Sequence, residues 1–80
     1  VKVSVHYFAG LRDRAGCNSE EMDLAEGTSL TALYAQCCAR HGIDFPRERL
    51  RVALDDAFVS WDHGLHDGAQ VAFLPPVSGG

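Results

Sequence analysis

The sequence predicts an α+β domain: a mixed sheet of about five short strands with one main helix packed on one face. Three observations carry that expectation. Apolar and polar residues alternate over the first seven positions, as in a half-buried strand. Leu30, Leu33, Tyr34, Cys37 and Cys38 then fall at the i, i+3, i+4, i+7, i+8 spacing of one apolar helical stripe. Short apolar runs broken by turn residues follow, the last of them closed by Pro75-Pro76. Two strands, a helix and about three more strands favour a helix lying across one sheet.

Each element has a local reason. Val1, Val3, Val5 and Tyr7 alternate with Lys2, Ser4, His6 and Phe8, giving a first strand with one apolar face. Gly10 to Ser19, with Arg12, Asp13, Arg14, Gly16 and Asn18, reads as a polar loop. A second strand is expected around Glu20 to Ala25, with Met22 and Leu24 on one side. Gly27-Thr28-Ser29 stops it and supplies a helix N-cap hydroxyl, and His41-Gly42 ends the helix that follows. Leu50 to Leu54 and Ala57 to Ser60 are two strands joined at Asp55-Asp56. Trp61 to Gly68 is irregular, and Gln70 to Leu74 is the last strand. The expected organisation is one domain over residues 1–80, with 75–80 as a projecting tail.

Length and charge exclude much else. Eighty residues leave no room for a second domain carrying a nucleotide site. There is no Gly-rich loop followed by Lys and Ser or Thr, and the sole lysine is Lys2. The three cysteines are odd in number, and the adjacent Cys37-Cys38 pair has poor bridging geometry, which fits a reducing, cytoplasmic setting. No stretch approaches a membrane span. A net charge of −4 argues against nucleic acid as a partner. Arg47, Arg49 and Arg51 would share a face if extended, as a solvated rim or, less favoured, a docking strip for an acidic protein.

The remaining candidates have plain readings. His63 and His66 lack the accompanying ligands of a metal site, so none is expected, and Asp62 and Asp67 read as turn residues. Cys37 reads as a small core residue, and Cys17 as an exposed one. Trp61 is either a rim anchor for a partner or a side chain packed over the sheet edge.

The chain ends on Gly79-Gly80, two residues thin enough for a channel that admits no side chain. Pro75 and Pro76 fix φ as the chain leaves the last strand, so Pro75, Pro76, Val77, Ser78, Gly79 and Gly80 should project, reaching roughly 20 Å when extended. That geometry suits a carrier whose working group is the Gly80 carboxylate. Phe8, Leu11 and Phe73, with Pro75 and Val77, are the candidates for a partner-binding patch; core filling is the competing reading for Phe8 and Phe73.

The segment from Leu65 to Gly80, and above all Pro75-Pro76-Val77-Ser78-Gly79-Gly80, resembles the C-terminal signature of the small subunits of molybdopterin synthase, a family of ubiquitin-like sulfur carriers. Val5-His6-Tyr7-Phe8-Ala9-Gly10-Leu11-Arg12 is similar to that family's first strand and following loop. Ala69-Gln70 departs from the acidic pair often found there, and Trp61 to Gly64 from the family's usual pattern. The resemblance implies a β-grasp fold and a defined chemistry. A ubiquitin-activating-type adenylyltransferase would use ATP to adenylate Gly80, while this chain binds no cofactor. A sulfur donor such as a desulfurase or rhodanese-like protein would then leave a thiocarboxylate. The tail would enter the large synthase subunit and give its sulfur to cyclic pyranopterin monophosphate. Sulfur transfer in thiamine, cysteine or tRNA thiolation stays open as an alternative, as does a ubiquitin-like binding module whose tail is never activated.

Overall fold

Five strands form one sheet in the order β2-β1-β5-β3-β4, which puts the last strand of the chain in the middle. The computed structural model describes residues 1–76. In chain order the elements are β1 (Lys2–Tyr7), α1 (Gly10–Ala15), β2 (Ser19–Asp23), α2 (Leu30–His41), a 3-10 turn (Arg47–Arg49), β3 (Arg51–Leu54), β4 (Ala57–Val59) and β5 (Ala69–Leu74). β1 and β5 run parallel, and the other neighbouring pairs are antiparallel. The crossover that a parallel pair requires is supplied by everything between β1 and β5, α2 included.

The expected alternation is the register of the sheet. Val3, Val5 and Tyr7 of β1, Val52 and Leu54 of β3, and Ala69, Val71 and Phe73 of β5 are buried beneath α2. From α2, Leu30, Leu33, Tyr34 and Cys37 meet them, and Cys38 packs at the margin. Full burial of each such aliphatic or aromatic side chain contributes about 1.5–3 kcal/mol, which is how so small a domain offsets its ordering entropy. Ser29 caps α2 by accepting from the Ala32 amide at 3.2 Å. At the other end Gly42 sits left-handed at φ 66°, its amide on the Cys38 carbonyl.

Two local expectations are corrected. Gly10 to Ala15 is a short helix, not a polar loop, because Leu11 inserts into the core while the charged residues around it face water. One turn and a half carries too few apolar positions to show a period. Arg47 and Arg49 lie in a 3-10 turn, so their alternate spacing with Arg51 does not put the three on one extended face. The Asp55-Asp56 junction holds as a hairpin turn, with φ of 51° and 71° at the two residues.

Trp61 is a packed side chain. Its ring stacks on Phe73 at 5.7 Å and 9°, and its carbonyl accepts from both the Thr31 amide and hydroxyl. The irregular segment it opens is bridged to the start of α2 through Ser29 and Gly64. No helix among the described residues is long and apolar enough to cross a membrane.

Candidate functional site at the end of the last strand

β5 is hydrogen-bonded on both sides up to its final residues, Tyr7 standing opposite Phe73 and Arg51 opposite Leu74. Phe8 continues β1 beside this end. The chain therefore leaves the sheet between Phe8 and Arg51, at Pro75 and Pro76, where the missing N–H groups prevent the ladder from continuing. Val77, Ser78, Gly79 and Gly80, the tail positions singled out in the sequence, lie outside the described residues.

The face of the sheet away from α2 carries the second part of the site. His6, Ala72, Ala53 and Phe58 form one cross-strand row. The two alanines leave a low floor between large neighbours, and a shallow cavity of about 350 Å³ results, lined by His6, Phe8, Ala53, Asp56, Gln70 and Ala72. His6 Nε2 and Gln70 Oε1 meet at 2.9 Å across it. Phe8 and Phe58 are 44% and 59% exposed and are the large apolar side chains the described residues leave to water. The Arg51 guanidinium lies 4.3 Å above the Phe58 ring, linking this patch to the strand end.

Of the residues expected in a partner patch, Phe8 is where the alternation put it. Leu11 and Phe73 are not on the surface: they are 1% and 0% exposed. Phe73 shares the parity of Val71 and Ala69 and so points under α2, packing edge-on to Tyr34 at 5.0 Å. Leu11 is the anchor of α1. Phe58 was missed in the sequence reading, although its signal was present: it stands opposite Ala53, whose neighbours Val52 and Leu54 are the inward residues.

On the helix side, Glu20 ties three elements together. Its carboxylate accepts from the Tyr7 hydroxyl at 2.5 Å, meets His41 Nε2 at 2.5 Å and faces Arg40 at 3.6 Å. Burial opposes its ionisation, but the hydrogen bonds from Tyr7 and His41 and the charges of His41 and Arg40 outweigh it and hold the carboxyl below its ordinary range. Burial, helped by the bonds to Cys37 and Glu20, raises the Tyr7 hydroxyl well above its usual value. Cys17 brings its sulfur to within 4.8 Å of the Glu20 and His41 ligand atoms. That group has the composition of a metal site, yet the Glu20 oxygens are already engaged by Tyr7, His41 and Arg40, and no buried polar side-chain atom among the described residues lacks a partner. The arrangement acts as a strut between α2 and the sheet.

The other polar candidates are spoken for locally. His63 Nδ1 sits 2.8 Å from the Gly64 carbonyl, and His66 pairs with Asp55 at 3.0 Å. Burial pushes the Cys37 thiol up to about 11, which makes it a core side chain and a poor nucleophile.

A strand-end exit, a central anchoring strand and an exposed aromatic patch are brought together at one end of the sheet. The ThiS family model matches residues 5–80. The chain belongs to the ThiS family. A relative from Chlamydomonas reinhardtii named molybdopterin synthase sulfur carrier subunit is 35% identical over 83 residues, covering 100% of each chain. The solved structure of a Pyrococcus furiosus protein described as molybdopterin converting factor subunit 1 superimposes with a TM-score of 0.82 at 35% identity, over 96% of this chain and 99% of that one. A Helicobacter pylori complex of subunits 1 and 2 of molybdopterin-converting factor contains a chain of the same fold, with a TM-score of 0.71 at 23% identity and 100% coverage of both. The ThiS-family fold here is the ubiquitin-like β-grasp.

Proposed function

We propose that this ThiS-family chain is the sulfur-carrier subunit of molybdopterin synthase, with Gly80 as its working residue. The observation that carries the reading is the continuity of β5, locked in the middle of the sheet, into Pro75-Pro76 and then Val77-Ser78-Gly79-Gly80. The relatives' names point the same way, to a sulfur carrier and to a subunit that works with a second one.

The chemistry follows from the end group. A free α-carboxylate, with a pKa of about 3.5, is ionised at neutral pH and is a poor acyl donor. An adenylyltransferase of the ubiquitin-activating type joins the Gly80 carboxylate to AMP, releasing pyrophosphate from ATP. The outer sulfur of a persulfide on a donor of the desulfurase or rhodanese-like class then displaces AMP to form an acyl disulfide, and a second thiol attacks the donor's sulfur of that S–S bond, becoming its disulfide partner and leaving a thiocarboxylate, a softer nucleophile than the carboxylate it replaces. The large synthase subunit receives the tail, and sulfur passes to cyclic pyranopterin monophosphate. In this scheme Phe8 and Phe58, either side of the alanine floor, supply the apolar contact with the large subunit.

The test is an intact-mass measurement after incubation with the cognate activating enzyme, ATP and a sulfur source. One sulfur replacing one oxygen at the C-terminus is the expected change. The product, mixed with the large subunit, should convert the pyranopterin precursor. An unchanged mass together with unchanged partner binding after removal of Gly79-Gly80 would refute the carrier reading.

A further inference from the structure

The chain's negative net charge hides an uneven placement of its cations along the strands. Its seven Lys and Arg residues are one lysine and six arginines. Lys2 opens β1, opposite Asp23, with its amide on the Asp67 carboxylate. All six arginines sit toward the other end, where the tail departs. Arg51 faces Leu74 across the ladder, and Arg47 and Arg49 lie in the turn just before it. Arg12 and Arg14 lie in α1, which follows the end of β1 that pairs with Phe73. Arg40 is in the last turn of α2, next to the His41 that packs on Tyr7. Asp23 and Asp67 lie at the opposite end, with Asp55 bonded to Gln70 at the start of β5, while Asp13 of α1, Glu48 of the 3-10 turn, Asp44 beside Arg14 and Glu20 beside Arg40 lie among the arginines.

Three of the arginines are committed internally: Arg14 to Asp44, Arg40 to Glu20 and Arg47 to Glu48. Arg12, Arg49 and Arg51 are exposed and have no acidic partner in salt-bridge range among the described residues. They come from α1, the 3-10 turn and β3, so they spread around the tail exit instead of converging on one point. A single phosphate is best held by convergent donors, whereas a spread of guanidinium forks matches carboxylates distributed over a protein surface.

We infer that the arginine-rich end steers this domain, tail first, onto the activating enzyme of the proposed function, whose tail entrance carries a rim of Asp and Glu side chains. The inference rests on that function. A carrier must be loaded and released repeatedly, and long-range attraction raises the encounter rate without requiring a long-lived complex.

The experiment is stopped-flow association of the full chain with its cognate activating enzyme. The wild-type rate should fall about tenfold or more between about 50 mM and about 500 mM NaCl, as the screening length shortens. The triple variant Arg12→Glu/Arg49→Glu/Arg51→Glu should be slower by about tenfold or more at low salt and lose most of its salt dependence, while Lys2→Glu stays within about twofold of wild type. Circular dichroism checks the fold of each variant. Should the triple variant not fold, Arg12→Gln/Arg49→Gln/Arg51→Gln and the wild-type salt series carry the same test. A complex that forms at a salt-independent rate, or that Lys2→Glu slows as much as the triple change, overturns the inference and leaves the carrier function standing. Absence of any complex, with no sulfur loading at Gly80, overturns both.

Discussion

Phe8 and Phe73 are the same residue type on adjacent strands, yet replacing each should do opposite things. Phe73 is fully buried, edge-on to Tyr34 at 5.0 Å and stacked on Trp61 at 5.7 Å. Phe73→Ala therefore removes a whole core side chain and both ring contacts, a loss of about 3–5 kcal/mol. A domain of this size is stabilised by about 4–12 kcal/mol in total, so that change alone takes up much of the margin. Phe73→Leu keeps most of the volume and loses mainly the ring contacts, about 1 kcal/mol, which lowers Tm by about 4–8 °C. Phe8 is 44% exposed. Half of a full burial term is about 1 kcal/mol, so Phe8→Ala should cost no more than that in stability while weakening binding to the large synthase subunit about tenfold. Thermal unfolding followed by circular dichroism, with Trp61 fluorescence reporting locally on the Phe73 stack, gives the stability order. Isothermal titration gives the affinities. A Phe73→Ala protein melting within a few degrees of wild type, or a Phe8→Ala protein as unstable as it, would refute the assignment of one ring to the core and the other to the docking face.

Three further outcomes follow from the same geometry. Glu20 has a folded pKa held below its ordinary value of 4.5, so its contribution to stability is present above that pH and is lost as pH falls through the lower folded value; in urea unfolding from pH 7 to 3, Glu20→Gln should be less stable at neutral pH and show a flatter acid limb than wild type. Asp56 has φ of 71°, a region that a non-glycine residue occupies at a cost, so Asp56→Gly should stabilise the hairpin by about 0.5–1 kcal/mol, read as a Tm raised by several degrees. Gly80→Ala places a Cβ beside the carbonyl that the proposed chemistry activates and should impair sulfur loading, measured by intact mass, without changing Tm, because the buried core found among the described residues is complete before Pro75.

What could be read in the sequence was whatever repeats with a period. The alternation of β1 and the stripe of α2 each depend on several residues obeying one rule, and tertiary packing kept both. Leu11 shows where this stops: a single apolar residue in a charged segment has no period, and only the assembled core reveals that it is an anchor. Phe73 was open for another reason. Partner patch and core filling competed for it, and its parity with Val71 within β5 decides for the core because a strand paired on both sides cannot rotate one side chain out. The Glu20 network brings together residues 7, 17, 20, 40 and 41 from four parts of the chain, and no local pattern announces such a meeting.

The central place of β5 explains how one small domain keeps its fold and its proposed chemistry apart. β5 is paired with β1 as far as Phe73 and with β3 as far as Leu74, so a load at its C-terminal end falls on the middle of the sheet, where many hydrogen bonds must yield together, and not on a strand that can peel from an edge. The two prolines end that ladder abruptly. Residues before Pro75 answer to packing, as Phe73 does, and under the proposed function those after it answer to a partner protein. A segment hung from an edge strand would offer no such division, because a load on it would peel away the strand that holds it.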